Sequence, residues 1–109
     1  SNDFNTSTTN LYSFSTYYVY WSGEGAASNE FIIENPSGFS PGSVIKIHNL
    51  KTNNNNSFTL RTMKNSSNVS RLVLINDSGP QSATNTITFP ANRVMEFTVS
   101  SSGDLLYRN

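Results

Sequence analysis

The stretch that decides the fold runs Arg93-Val-Met-Glu-Phe-Thr-Val-Ser100, then the turn Ser101-Ser-Gly103, then Asp104-Leu-Leu-Tyr-Arg108. In the first segment Phe97 and Val99 are two residues apart, as are Leu105 and Tyr107 in the second. This two-residue period is typical of strands that bury one face. Serine and glycine between two such segments favour a tight turn. The sequence therefore predicts a terminal β-hairpin whose apolar residues close a sandwich.

The rest of the chain repeats this organisation of short strands and polar turns. Nowhere does an apolar repeat of 3.6 residues extend beyond one or two turns, so we expect minimal helix content. Strands are predicted over residues 11–21, 31–34, 44–50, 58–63, 69–75 and 84–89, in addition to the terminal hairpin. The predicted fold is an all-β, antiparallel β-sandwich or jelly roll of about eight short strands, with residues 1–10 as a linker and residues 11–109 as one domain.

Composition narrows the classes of function. The 109 residues carry seven basic and seven acidic side chains and no run of either sign, so the electrostatic footprint of a nucleic-acid-binding protein is absent. No apolar run approaches the roughly 18 residues that a membrane span needs, and we expect no membrane insertion. Charged residues make up 13% of the chain, whereas Asn, Ser and Thr together supply 45 of the 109 residues. Such a surface hydrogen-bonds without charge, which suits an extracellular adhesive domain or a particle surface.

The sequence gives no sign of catalysis, of a cofactor or of a metal site. There is no cysteine, and the only histidine, His48, lies in a predicted strand with no acidic residue beside it. No Gly-x-Ser-x-Gly motif occurs, and the seven carboxylates show no spacing that suggests an acid/base pair. Turn chemistry accounts for Asn76-Asp-Ser-Gly and Ser102-Gly-Asp104, neither of which is a full calcium loop. We therefore predict a protein that is not an enzyme.

The aromatic segment at Tyr17, Tyr18, Tyr20 and Trp21 is the strongest candidate for an interaction surface. Alternate residues of a strand point to opposite faces, so this strand carries large side chains on both. Apolar residues make up only 35% of the chain, and a lean core gains from surface that is buried against partner subunits. These four residues are predicted to form an oligomer interface. Stacking of the same rings on sugars is the alternative.

One further segment carries a resemblance to a known family. At Pro41-Gly-Ser-Val-Ile-Lys-Ile-His-Asn-Leu50 the sequence resembles the PG-x-x-I-x-I-K/H-N strand of C-terminal tip modules in bacteriophage tail fibres and related virion fibres. Those modules commonly close with a hairpin of the type Val-x-Ser-x-Gly-x-x-Trp-Tyr. The corresponding residues here are Val99-Ser-Ser-Ser-Gly103-Asp-Leu-Leu-Tyr107, with Leu106 in place of the usual Trp and one additional Ser in the turn.

The resemblance implies a homotrimer on the virion surface, at the distal end of a fibre whose shaft would end within residues 1–10. It implies attachment to a host surface glycan or surface protein. We expect the contacts on hairpin tips, which carry most recognition residues in rigid β-domains, and these tips can cluster at one end of the domain. The candidate ligand-binding residues are Asn53, Asn54, Asn55, Asn65, Asn68 and Ser78. Two alternatives remain open: a carbohydrate-binding module of a secreted bacterial protein, and a purely structural capsid decoration or oligomerisation domain.

Overall fold

The structure is a computed structural model that describes residues 2–5, 16–21, 30–49, 58–90 and 93–108. These residues contain eleven strands and one turn of 3-10 helix at Pro36–Gly38. The strands are β1 (Asn2–Asn5), β2 (Thr16–Trp21), β3 (Glu30–Glu34), β4 (Val44–Asn49), β5 (Phe58–Lys64), β6 (Ser67–Asn68), β7 (Leu72–Asn76), β8 (Gly79–Pro80), β9 (Thr86–Phe89), β10 (Val94–Val99) and β11 (Leu105–Tyr107). The number exceeds the eight expected, in part because β6 and β8 have only two residues each.

The strands form two sheets that pack face to face, so the predicted β-sandwich is confirmed. Sheet A has the order β1-β3-β5-β6, and β9 also pairs with β5. Sheet B has the order β2-β4-β10-β11-β7-β8. Its outermost described strands are therefore β2, which carries the aromatic segment, and the short strand β8.

Pairing within the sheets is mixed, whereas the sequence predicted antiparallel pairing. β1 with β3, β3 with β5, β2 with β4, and β11 with β7 are parallel pairs. For the first three of these pairs the reason lies in the chain path, because the first five strands alternate between sheets A and B. A chain that crosses to the other sheet and returns runs in its original direction, and it pairs in parallel with the strand it left.

Two local expectations are corrected by this path. The sequence predicts that residues 51–56 turn β4 back into β5 as a hairpin, but β4 belongs to sheet B and β5 to sheet A. Residues 2–5, within the segment predicted as a linker, form β1 and pair with Phe31–Glu34 at the outer side of sheet A. Polar residues are compatible with such a position because an outermost strand needs no second neighbour.

The core lies between the sheets, and β3, β4, β5, β10 and β11 each contribute alternate residues to it. In β4 the alternation is complete: Ile45, Ile47 and Asn49 are buried, while Val44, Lys46 and His48 are partly exposed. The other buried hydrophobic residues are Phe31, Ile33, Phe39, Leu60, Leu72, Val73, Phe89, Met95, Phe97, Val99, Leu105 and Tyr107. Asn49 is the polar exception in β4, and its Nδ2 donates a hydrogen bond to the Pro90 carbonyl oxygen at 3.0 Å.

The terminal hairpin forms as predicted. Val99 pairs with Leu105, and the Gly103 N–H donates to the Ser100 carbonyl oxygen at 3.0 Å. Gly103 has a φ of 84°, a conformation that glycine adopts without steric cost. The Asp104 N–H donates to Ser100 Oγ at 3.0 Å, and the Asp104 carboxylate accepts a bond from Arg71 at 3.4 Å. The hairpin thereby joins β7 to the centre of sheet B.

Candidate functional site

The outer face of sheet B carries the candidate site. Strand register brings Tyr18, Lys46 and Glu96 into one row across β2, β4 and β10. The next row consists of Tyr20, His48 and Val94. Side chains in such rows are direct neighbours because their Cβ atoms lie about 5 Å apart.

Exposure distinguishes this face from the rest of the described chain. Tyr18 is 62%, Tyr20 67% and Val94 55% exposed. They are the exposed large hydrophobic residues of the part of the chain that the structure describes, and all three fall within these two rows. Clustered exposed apolar side chains mark interaction sites more often than scattered ones do.

Charged and aromatic groups cover this face in a defined pattern. Lys46 Nζ lies 5.6 Å from the centre of the Tyr18 ring, a cation–π distance, and 3.9 Å from Glu96 Oε2. The His48 and Tyr20 rings are 6.0 Å apart and tilted by 52°. Each tyrosine is therefore held against a residue of β4, which restricts its rotamers and leaves the remaining ring surface open to a partner.

The predicted interface residues divide between the two faces of β2. Tyr17 points inward, where its ring meets the Phe39 ring edge-on at 5.5 Å, and Val19 packs against the same core. Tyr17 is thus partly covered by its own domain, whereas Tyr18 and Tyr20 point outward. The Trp21 side chain lies outside the described residues.

The predicted ligand-binding residues do not share one end of the sandwich. Asn53, Asn54 and Asn55 lie outside the described residues. Asn65 and Asn68 are exposed and belong to the hairpin in which Asn65 and Ser66, at φ 52° and 64°, link β5 to β6. Both positive values are those of a type I′ turn, which favours asparagine.

Ser78 lies at the opposite end from this hairpin. β5 begins beside Phe89 and ends beside Asn35, whose N–H donates to the Met63 carbonyl oxygen. Asn49, at the end of β4, hydrogen-bonds Pro90, which follows Phe89, so β4 ends at the side of the sandwich where β5 begins. β4 is antiparallel to β10, β10 is antiparallel to β11, and β11 is parallel to β7, so β7 runs in the same direction as β4. The turn after β7, which contains Ser78, therefore lies at the end of the sandwich where β5 begins. The expectation that these hairpin tips cluster at one end is wrong for Ser78 and the Asn65 hairpin.

A groove on the same outer face was not predicted from the sequence. It has a volume of about 700 Å³ and lies between β10, β11 and β7, with Val94 and Leu106 on its apolar side. Arg93 and Arg108 line it at the end of the sandwich. The consecutive apolar pair Val94-Met95 was the sequence signal for this feature, because alternation requires one of the two to face outward.

Two further ion pairs link strands and turns away from this face. Arg61 pairs with Glu30 and Arg71 with Asp104, so these carboxylates face cations and not each other. Burial raises the pKa of the Tyr107 hydroxyl above its ordinary value of 10.0. Within the described ranges, no group of three or more His, Asp or Glu residues is arranged to hold a metal ion.

Comparison with known proteins returns no relative. No protein-family profile, curated protein sequence or solved structure matches the chain significantly. Within the described residues, no helix is long and apolar enough to span a membrane.

Proposed function

We propose that this chain is a non-enzymatic tip domain of a virion fibre or spike, which forms a homotrimer and attaches the particle to a host surface structure. The observation that carries the proposal is the outer face of β2 and β4. There Tyr18, Tyr20 and the adjacent Val94 leave more than half of their surface exposed in the single chain. Burying these side chains against copies of the same face would supply the apolar contact that a lean core lacks.

The position of β2 supports association with other copies. It is the outermost described strand of sheet B, so a neighbouring chain can approach it from the side as well as from above. Lys46 and Glu96 form an ion pair in the adjacent row. Charges of both signs in one row permit two copies to meet without net repulsion.

Attachment is supported by the polar, uncharged surface and by the hairpin tips. The turns at Asn65 and Ser78 are exposed and present amide and hydroxyl groups at the two ends of the domain. Groups of this kind hydrogen-bond the hydroxyls of a glycan or the backbone of a surface protein. Because the two turns lie at opposite ends, only one of them would face the host.

A second candidate function is a carbohydrate-binding module, and the same tyrosines favour it. Tyr18 and Tyr20 are two residues apart on an open sheet face, a spacing that places two rings side by side for stacking on successive sugars. In this reading the chain is a monomer, and the aromatic face contacts a polysaccharide in place of another subunit.

One pair of measurements separates these functions. Light scattering on the wild-type chain and on the double variant Tyr18→Ser/Tyr20→Ser gives the oligomeric state, and a glycan array with a panel of intact cells gives attachment. A fibre tip is expected to be a trimer that binds cells and loses assembly in the variant. A monomer whose sugar binding disappears in a folded variant supports the module. A trimer that binds neither glycans nor cells contradicts attachment and supports a purely structural domain.

A further inference from the structure

The groove on the outer face of sheet B has the dimensions of a ligand site. Its volume of about 700 Å³ falls in the range found for small-molecule sites. β10 and the short strand β11 flank it, and Val94, Leu106 and Ile75 supply an apolar surface. Thr88 and Thr98 add hydroxyl groups at its sides. A ligand here would meet both apolar and hydrogen-bonding groups.

Two arginines give the groove its charge. Arg93 and Arg108 both line it, both are exposed, and neither has an ion pair within the described residues. Arg61 and Arg71, in contrast, are each paired with a carboxylate. The one carboxylate in the described lining, Glu96, is paired with Lys46. The groove therefore presents two uncompensated guanidinium groups, which suit an anionic group of the ligand.

A second depression of about 370 Å³ adjoins the groove, since Ile75 and Arg108 line both. Asn76, Asp77 and Ser78 form its other side. Asn76 Oδ1 accepts bonds from the Ser78 N–H at 2.9 Å and from Gln81 Nε2 at 3.2 Å, which fixes the amide and leaves Nδ2 as a donor. The Asp77 carboxylate accepts and the Ser78 hydroxyl donates or accepts, the mixture that binds hydroxyl groups.

We infer that the two adjoining cavities bind an acidic saccharide. The carboxylate of a sugar acid would accept hydrogen bonds from the guanidinium groups of Arg93 and Arg108, which both line the groove. The apolar face of the sugar ring would rest on Leu106 and Ile75. A following sugar would place its hydroxyls on the turn at residues 76–78. An acidic peptide would satisfy the arginines as well, but its further carboxylates would meet the negative charge of Asp77, whereas a neutral following sugar would not.

This inference rests on the proposed function for its biological role, because it names a ligand class for attachment. It does not rest on the trimer, since the groove is lined within one chain. Of the sequence-predicted ligand residues, Ser78 belongs to it, whereas Asn65 and Asn68 lie at the other end of the sandwich.

The test is an NMR titration with pairs of sugars that differ only at C6, where one has a carboxylate and the other a hydroxymethyl group. Glucuronic acid is compared with glucose, and galacturonic acid with galactose, while sodium acetate and a short glutamate-rich peptide serve as anions without a sugar ring. The sugar acids are expected to bind with a Kd of roughly 1 mM and to shift the amide signals of β10, β11 and the turn after β7. Acetate and the neutral sugars are expected to bind at least about tenfold more weakly.

Three variants locate the binding. Arg93→Gln and Arg108→Gln each remove an exposed, unpaired guanidinium, and each is expected to weaken sugar-acid binding about tenfold without affecting the fold. Lys64→Gln is the matched control, because Lys64 is an exposed cation without an ion pair in the described chain and lies at the opposite end. Equal loss in the control, binding of glucose as tight as that of glucuronic acid, tighter binding of the peptide, or no binding of any sugar acid would overturn the inference.

The outcome is separable from that of the proposed function. A monomer that binds sugar acids through both arginines would support the groove as a ligand site and contradict the proposed trimeric fibre tip. A trimer that attaches to cells but does not bind sugar acids would support the proposed function and contradict the groove as a ligand site.

Discussion

Tyr20 and Val94 lie on either side of His48, on three adjacent strands of sheet B, and both point to solvent. They come from segments far apart in sequence, near the two ends of the domain. With Tyr18 they form one apolar patch, which the strand register alone assembles. The first prediction concerns this patch.

Replacing Tyr20 with Ser should weaken self-association by about 2 kcal/mol or more per contact, because a central aromatic anchor is removed. Val94→Thr should have a smaller effect in the same direction. Neither change should alter the free energy of unfolding of the single chain by more than about 0.5 kcal/mol, since both side chains are exposed. Sedimentation velocity measures the first quantity. Thr86→Ser, an exposed change on sheet A, is the control and should leave association unchanged.

The hydrogen bond from Asn49 to Pro90 should contribute to stability. Asn49→Leu keeps a similar volume but leaves the Pro90 carbonyl without this donor, so we expect a loss of about 1–3 kcal/mol in urea unfolding. Asn68→Leu, at an exposed position, should change stability by no more than about 0.5 kcal/mol. Equal stability of the two variants would contradict a role for the buried amide.

Two glycines with similar backbone angles should differ in their tolerance of alanine. Gly79 has φ 95°, and a Cβ added there would meet no other group within 4 Å, so Gly79→Ala should cost about 1 kcal/mol from backbone strain alone. At Gly103, with φ 84°, a Cβ would lie 3.3 Å from Ser37 Cα and Cβ. Gly103→Ala should therefore cost about 1–2 kcal/mol more than Gly79→Ala. Thermal or urea unfolding of both variants decides the order.

Alkaline pH should destabilise the fold through Tyr107. Burial raises the pKa of its hydroxyl above 10.0, so the unfolded chain loses this proton at a lower pH than the folded chain. The contribution of Tyr107 is therefore fully present below about pH 10 and is lost as the pH rises through the folded pKa. Tyr107→Phe should show a smaller fall in unfolding free energy above about pH 10 than wild type. An identical fall in both proteins would show that other groups cause it.

Several elements could be predicted because their signals are local. The terminal hairpin follows from alternation at Phe97, Val99, Leu105 and Tyr107 around a turn with glycine, and all four residues are buried. The alternation in β4 also placed Asn49 with Ile45 and Ile47, and the structure buries all three. The same two-residue period placed Tyr18 and Tyr20 on one face of β2 and Tyr17 on the other, but only the structure shows that the face of Tyr18 and Tyr20 is exposed.

The path of the chain between sheets was not predictable in this way. The sequence of a polar loop does not show whether the next strand returns to the same sheet or crosses to the other one. For this reason the predicted β4–β5 hairpin was wrong, and the parallel pairs were not predicted. The groove was missed for a related reason. Arg93 and Arg108 flank the terminal hairpin in sequence, but only the pairing of β11 with both β10 and β7 brings the residues that line the cavity together.

Copies of this chain are expected to associate through the outer face of β2 and β4. Sedimentation equilibrium at micromolar concentration tests it most directly, with wild type beside Tyr18→Ser/Tyr20→Ser. Three copies of a 12.0 kDa chain give a trimer of about 36 kDa, and we predict that mass for wild type and a monomer for the variant. A wild-type monomer of 12.0 kDa across the micromolar range, or a trimer that persists unchanged in the variant, would contradict the account.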